Sequence, residues 1–177
     1  MTASLAFAAP GAATTGVVDV REQEKAAFDA FVRARLPELL RFGRALTGSP
    51  EAAADLVQDA LERTMLAWNR IEQQGDPEGY VRRVMVNRNI SVWRKFGREH
   101  STDVVYDRGV EDSHFDTDLW QALQRLPARQ RAVIALRYYE DMSEADIART
   151  LGCSAGTVKS QASKAMAKLR ELVPREA

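Results

Sequence analysis

The sequence predicts an all-α protein of two small helical domains joined by a flexible acidic linker, the second domain containing a helix-turn-helix. Three observations carry this. Apolar residues recur at helical spacing over 24–97 and again over 117–173. Between them, residues 98–116 (REHSTDVVYDRGVEDSHFD) sustain neither a helical nor a strand period. Finally, 143–170 carries the capping signals of two short helices around a tight turn.

The elements follow in order. Residues 1–23 begin Ala-, Thr- and Gly-rich and are expected to be disordered or weakly ordered. From Glu24, the series Phe28, Phe31, Val32, Leu36, Leu39, Leu40 and Leu46 predicts a helix, with Pro37 imposing a local break or a new start. Thr47–Pro50 reads as a turn. Glu51–Trp68 is a second helix, with Ala53, Leu56, Val57, Ala60, Leu61, Thr64 and Trp68 inward. Gln73–Gly79 is punctuated by Gly75, Asp76, Pro77 and Gly79 and reads as a loop. Tyr80–Phe96 forms a third helix whose apolar contacts come from Val81, Val84, Met85, Ile90 and Val92 or Trp93. In the second domain, Leu119, Trp120, Leu123 and Leu126 lead into Pro127, suited to the first turn of the next helix. Val133, Ile134, Leu136 and Tyr138 are expected to pack behind the helix-turn-helix. There Ser143 caps the first helix with Asp146 in the capping-box position, Gly152 permits the exit, and Ser154 caps the second helix.

A net charge of zero, from 25 basic and 25 acidic residues, conceals strong segregation. Residues 81–98 hold Arg82, Arg83, Arg88, Arg94, Lys95 and Arg98 and no acid. Residues 99–118 hold seven acids against Arg108 alone, and 129–173 carry eight basic and five acidic side chains. Two basic surfaces flank an acidic connector, which near DNA-binding surfaces would compete with phosphates and discourage binding to bulk DNA. One cysteine, Cys153, excludes a disulfide framework, and neither a catalytic motif nor a cofactor is indicated. His100 and His114 read as solvated linker residues. The absence of a secretory signal and of a long apolar run points to a cytoplasmic protein without membrane insertion. The chain runs only a few residues past the last expected helix, so no appended regulatory domain is expected.

Three surfaces are candidates for function. On the second helix of the helix-turn-helix, Val158, Ala162, Ala165 and Leu169 face inward, leaving Thr157, Ser160, Gln161 and Lys164 outward, with no carboxylate to oppose phosphates. Gln161 suits bidentate reading of adenine, while Lys159 and Lys164 suit phosphate or guanine. On the helix Glu51–Trp68, Asp55, Gln58, Asp59 and Glu62 form a polar face, either solvated or a dock for a basic helix. The third is the cationic helix, where Asn87, Arg88 and Asn89 lie between Tyr80 and Trp93. Cations that track a backbone beside aromatic and amide groups are the ingredients of single-strand recognition, although a solvated basic helix has the same composition.

The segments DLVQDALERTMLAW (Asp55–Trp68), DPEGYVRRVMVNRNISVWRK (Asp76–Lys95) and LPARQRAVIALRYYEDMSEADIARTLGCSAGTVKSQASKAMAKLREL (Leu126–Leu172) together resemble bacterial RNA polymerase sigma factors of the extracytoplasmic-function class (group IV of the sigma-70 superfamily). The resemblance spans roughly 25–173 and matches that family's regions 2 and 4 in order. It implies a subunit without catalytic activity of its own that binds core RNA polymerase, recognises promoter DNA and promotes strand opening. Region 2 would occupy 24–97 and region 4 residues 117–173, on either side of the linker 98–116. Asp55, Gln58, Asp59 and Arg63 would contact the clamp coiled coil of the polymerase. Asn87 and Arg88 with the preceding loop, joined by Tyr80, Arg83, Trp93 and Arg94, would engage the separated non-template strand of the −10 element. Ser154, Thr157, Lys159, Ser160, Gln161 and Lys164 would read the −35 duplex. Anti-sigma partners are common in the family. Val86, Ser91 and Gln161 depart from the arginine, aspartate and arginine frequent there. Two other classes share parts of this pattern: an operator-binding helix-turn-helix regulator, which needs a dimerisation surface, and an interaction protein that does not bind DNA.

Overall fold

The computed structural model describes residues 14–96 and 117–173. Among these the fold is all-α, in two helical regions: α1 (Thr14–Thr47), α2 (Pro50–Leu66), α3 (Trp68–Gln74) and α4 (Pro77–Phe96), then α5 (Thr117–Gln124), α6 (Ala128–Ile134), α7 (Glu144–Leu151) and α8 (Ala155–Leu172). A π-helical turn, Ala135–Tyr139, continues α6. The expected acidic linker and the first part of the N-terminal segment lie outside the described residues.

Helix α1 begins at Thr14, ahead of the start at Glu24 read from the sequence, and it runs through Pro37 without the expected break. Pro37 is exposed, so the carbonyl it deprives of an intrahelical partner can be solvated. The expected loop Gln73–Gly79 is also mostly helix. Gly75 ends α3 in the left-handed conformation at φ 75°. Pro77 then sits in the first turn of α4, and the Asp76 carboxylate accepts the Gly79 N–H at 2.9 Å. The residues read as loop punctuation are therefore helix-start signals.

In the first region, Leu39, Phe42, Ala45 and Leu46 of α1 pack on Leu56, Val57 and Ala60 of α2 and on Val81, Met85 and Val86 of α4. Phe28 and Phe31 close on Trp68, with ring centroids 5.2 and 5.3 Å apart. In the second region, Ala132, Val133, Leu136, Ile147, Ala148, Leu151, Val158 and Ala162 pack together. Tyr138, expected behind the helix-turn-helix, is instead 59 % exposed. The π-helical turn shifts the register, so Leu136 is buried and the Tyr138–Tyr139 pair faces outward. The two regions touch: α4 lies against α6 and α7, α1 against α5 and α6, and one apolar cluster runs through both.

Candidate nucleic-acid interface

Helices α7 and α8 form the expected helix-turn-helix. Ser143 caps α7 by accepting the Asp146 N–H at 3.2 Å. Gly152 turns the chain at φ 61°, a conformation that costs glycine nothing. Ser154 accepts the Thr157 N–H at 3.1 Å, and the two hydroxyls lie 2.9 Å apart. Val158, Ala162, Ala165 and Leu169 are buried, which leaves Lys159, Ser160 and Lys164 exposed and Gln161 half-buried beside them. The first turn of α8 contains no acid, so its positive dipole end is available to a phosphate. Ser154 and Thr157 are engaged in the cap, whereas Lys159, Ser160, Gln161 and Lys164 make up the outward surface.

Helix α4 divides the strand-binding candidates. Tyr80, Arg83, Asn87 and Arg94 share one face at helical spacing; Arg83, Asn87 and Arg94 are exposed and Tyr80 half-buried. Arg88 points toward α2, its Nε 3.3 Å from the Asp59 carboxylate. Trp93 points the other way, and the Arg131 guanidinium lies 5.1 Å from its ring centroid. Tyr80 and Trp93 therefore do not bracket one surface. Asn89 is buried and donates to the Leu46 carbonyl at 3.3 Å, so it ties α4 to the end of α1. Val86, where arginine is frequent in the resembling family, is fully buried. The acid-free stretch is compensated through space: Arg82 pairs with Glu78 and Glu140, and Arg88 with Asp59.

On α2 the candidates come together. Asp55, Gln58 and Arg63 are exposed and Asp59 is half-buried, beside the buried Leu56, Val57 and Ala60. Gln58 donates to Glu62 at 3.0 Å and Arg63 to Asp59 at 3.1 Å, which orders the polar row. The sequence reading missed that Leu66, 90 % exposed, continues this row one turn further along. An apolar side chain at the end of a charged stripe was the available signal. Also missed were Arg131, which is fully buried, and Gln124, which receives it. Arg131 Nη1 donates to the Gln124 carbonyl at 3.1 Å and to its Oε1 at 2.9 Å. An arginine leading the apolar run Ala132–Leu136 was the signal there.

Among the described residues no helix is long and apolar enough to cross a membrane. Two family models match the chain: Sigma-70 region 2 over residues 31–99 and Sigma-70, region 4 over 116–169. The chain is 42 % identical over 149 residues to an RNA polymerase sigma-E factor of Streptomyces avermitilis, covering 81 % of this chain and 83 % of that one. To the RNA polymerase sigma-E factor of Streptomyces coelicolor it is 41 % identical over 155 residues, 84 % of this chain and 88 % of the other. Among solved structures, the sigma factor RpoE of Bartonella quintana, crystallised in complex with the anti-sigma factor NepR, superposes with a TM-score of 0.69. The identity is 30 %, over 84 % of this chain and 99 % of that one.

Proposed function

The chain belongs to the extracytoplasmic-function, group IV class of sigma-70 family factors, and from that premise we propose a division of labour between its two regions. As a member of that class it binds core RNA polymerase and recognises promoters. In our reading α2 docks on the clamp of the polymerase through Asp55, Gln58, Asp59 and Arg63, with Leu66 as an apolar anchor at the end of the row. An apolar side chain that becomes fully desolvated within a polar rim is the usual source of affinity at such an interface.

Helix α4 then engages the separated non-template strand of the −10 element through Tyr80, Arg83, Asn87 and Arg94, with Arg88 and Trp93 joining only after giving up Asp59 and Arg131. Phosphates would be held by the arginines, and the Asn87 amide and Tyr80 ring would meet bases. Helix α8 lies in the major groove of the −35 element. Lys159 and Lys164 hold phosphates, Gln161 and Ser160 reach base edges, and Ser154 with Thr157 fixes the helix start. The observation that carries this reading is the segregation of the surfaces: a carboxylate-bearing row on α2, and outward rows without a carboxylate from Tyr80 to Arg94 on α4 and from Thr157 to Lys164 on α8. An anti-sigma protein, of the kind bound by the Bartonella relative, is a further partner in this reading.

The direct test is run-off transcription by purified core polymerase on promoters selected with the reconstituted holoenzyme. Specific initiation that depends on the chain is expected. An operator-binding regulator would leave core inert on the same templates, and a protein without DNA contact would leave the −35 element unprotected in a footprint.

A further inference from the structure

The Phe28 and Trp68 rings, with centroids 5.2 Å apart, form part of the wall of a cavity between the first half of α1 and the corner where α2 meets α3. Its volume, about 560 Å³, falls within the roughly 300–1,000 Å³ usual for small-molecule sites. Met65, 53 % exposed, adds an adaptable apolar side chain at the corner. Arg21 and Lys25 of α1 and Arg70 of α3 also line it, against a single acid, Glu24. These three cations are exposed, and none forms an ion pair among the described residues. Trp68 itself is only 6 % exposed, yet its Nε1–H has no hydrogen-bond partner among the described residues.

We propose that this cavity is a binding site for a small amphipathic monoanion, an apolar carboxylate. Its apolar body lies on Phe28, the Trp68 ring and Met65, and so removes from water a surface that the fold leaves bare. Its carboxylate sits among Arg21, Lys25 and Arg70, where three cations face one acid. A carboxylate is an acceptor only, so it also suits the indole N–H that the fold leaves unpaired, and a charged acceptor makes the stronger bond.

The site asks for both halves in one molecule. A cation with the same body meets Arg21, Lys25 and Arg70 as like charges, and a small anion without the body forgoes the apolar contact. Nothing in this assignment depends on how the chain meets DNA or polymerase, because no residue invoked belongs to α4 or α8. Leu66 also borders the cavity, but the polymerase-docking row claims it too, so it is left out of the test.

The probe is decanoate, titrated calorimetrically into the full chain at neutral pH below its micelle threshold, with decylamine as the cationic counterpart and acetate as the anion without a body. Decanoate should bind saturably at one site, decylamine more weakly and acetate not saturably. Each exposed charge pair removed is worth up to about fivefold in affinity. Arg70→Glu should therefore weaken decanoate about threefold or more, and Lys25→Glu combined with Arg70→Glu about tenfold, while decylamine gains in the double variant. Arg33→Glu, exposed on α1 and outside the lining, is the control and should change decanoate binding less than about twofold. The chain has three tryptophans, so its ¹⁵N-labelled form gives three indole N–H signals, and Trp93→Phe and Trp120→Phe identify that of Trp68 by elimination. Decanoate should move the Trp68 signal downfield and leave the other two in place. No saturable decanoate binding, equal binding in the double variant, equal binding of decylamine to the wild type, or a Trp68 signal that stays still or moves only with the other two would overturn the site.

Discussion

Replacing Asp59 by arginine separates the polymerase-docking role of α2 from its structural role. The carboxylate accepts from Arg63 Nε at 3.1 Å and faces Arg88 Nε at 3.3 Å, with side-chain exposures of 30 % for Asp59, 54 % for Arg63 and 49 % for Arg88. Pairs this exposed contribute about 0–1 kcal/mol each. Reversing the charge exchanges two weak attractions for two weak repulsions, which long exposed arginines can relieve by turning into solvent. The expected loss of stability is about 1–2 kcal/mol, or roughly 2–8 °C in melting temperature for a chain of this size. No cavity opens, because Asp59 is not among the buried residues of α2 and arginine is the larger side chain. At an interface, by contrast, loss of a desolvated charge partner costs about 2–5 kcal/mol, roughly thirtyfold to several thousandfold in affinity. The assay is competition of each variant with labelled wild type for core polymerase, with thermal melting run in parallel. Asp55→Arg is the companion: it is exposed on the same row and should weaken core binding with even less effect on melting. Wild-type affinity for core in both variants would refute the docking assignment. A melting loss as large as the 2–5 kcal/mol of a core truncation such as Leu56→Ala would show that Asp59 acts through the fold.

Further outcomes follow from the same structure. Asn87→Ala and Asn89→Ala should differ sharply in stability: the first, exposed, within about 0.5 kcal/mol of wild type, the second lower by about 1–3 kcal/mol because it strips the buried Leu46 carbonyl of its donor. Urea denaturation monitored by circular dichroism distinguishes them. Ser154→Ala should cost about 0.5–2 kcal/mol through loss of the α8 cap and weaken −35 and random duplex by the same factor, since the hydroxyl is engaged with Thr157; a change in base preference would contradict that role. Burial raises the pKa of Glu140, against the opposing attraction of Arg82, with Glu78 and Glu38 adding to the rise and Arg41 reducing it. A carboxyl whose pKa is higher folded than unfolded contributes stability that is fully present below the unfolded value and is lost as pH rises through the folded value. Glu140→Gln should therefore flatten the pH dependence of stability above the ordinary glutamate range, as read by urea denaturation at a series of pH values.

What could be read from the sequence tracks how local its causes are. The helix-turn-helix was legible because its determinants, Ser143, Gly152 and Ser154, act within three or four residues of themselves. The apolar face of α2 was legible for the same reason, since every inward residue named there is buried or half-buried. Asp76 and Pro77 misled because the same residue types mark loops and helix starts, and only the hydrogen bond from Gly79 separates the two uses. Pro37 misled because its cost depends on whether solvent reaches the helix at that point. The strand candidates on α4 do not share one direction. Trp93 and Arg88 are turned away from the Tyr80–Asn87 face by partners 38 and 29 residues away, Arg131 and Asp59. Contacts of that separation leave no periodic trace in the chain, and the packing of the two regions is of the same kind.

The division of labour is tested most directly by comparing Asn87→Ala and Gln161→Ala holoenzymes on one selected promoter, presented as closed duplex and as a template with the −10 region already unpaired. Closed-complex affinity and the rate of open-complex formation are the two readouts. Gln161→Ala should alter closed-duplex binding, with about 1–3 kcal/mol of base discrimination at stake, and gain nothing from the unpaired template. Asn87→Ala should leave closed-duplex binding at wild-type strength, slow opening, and recover in part on the unpaired template. An Asn87→Ala holoenzyme that loses closed-duplex affinity as Gln161→Ala does, with no recovery on the unpaired template, would contradict the assignment of α4 to the separated strand.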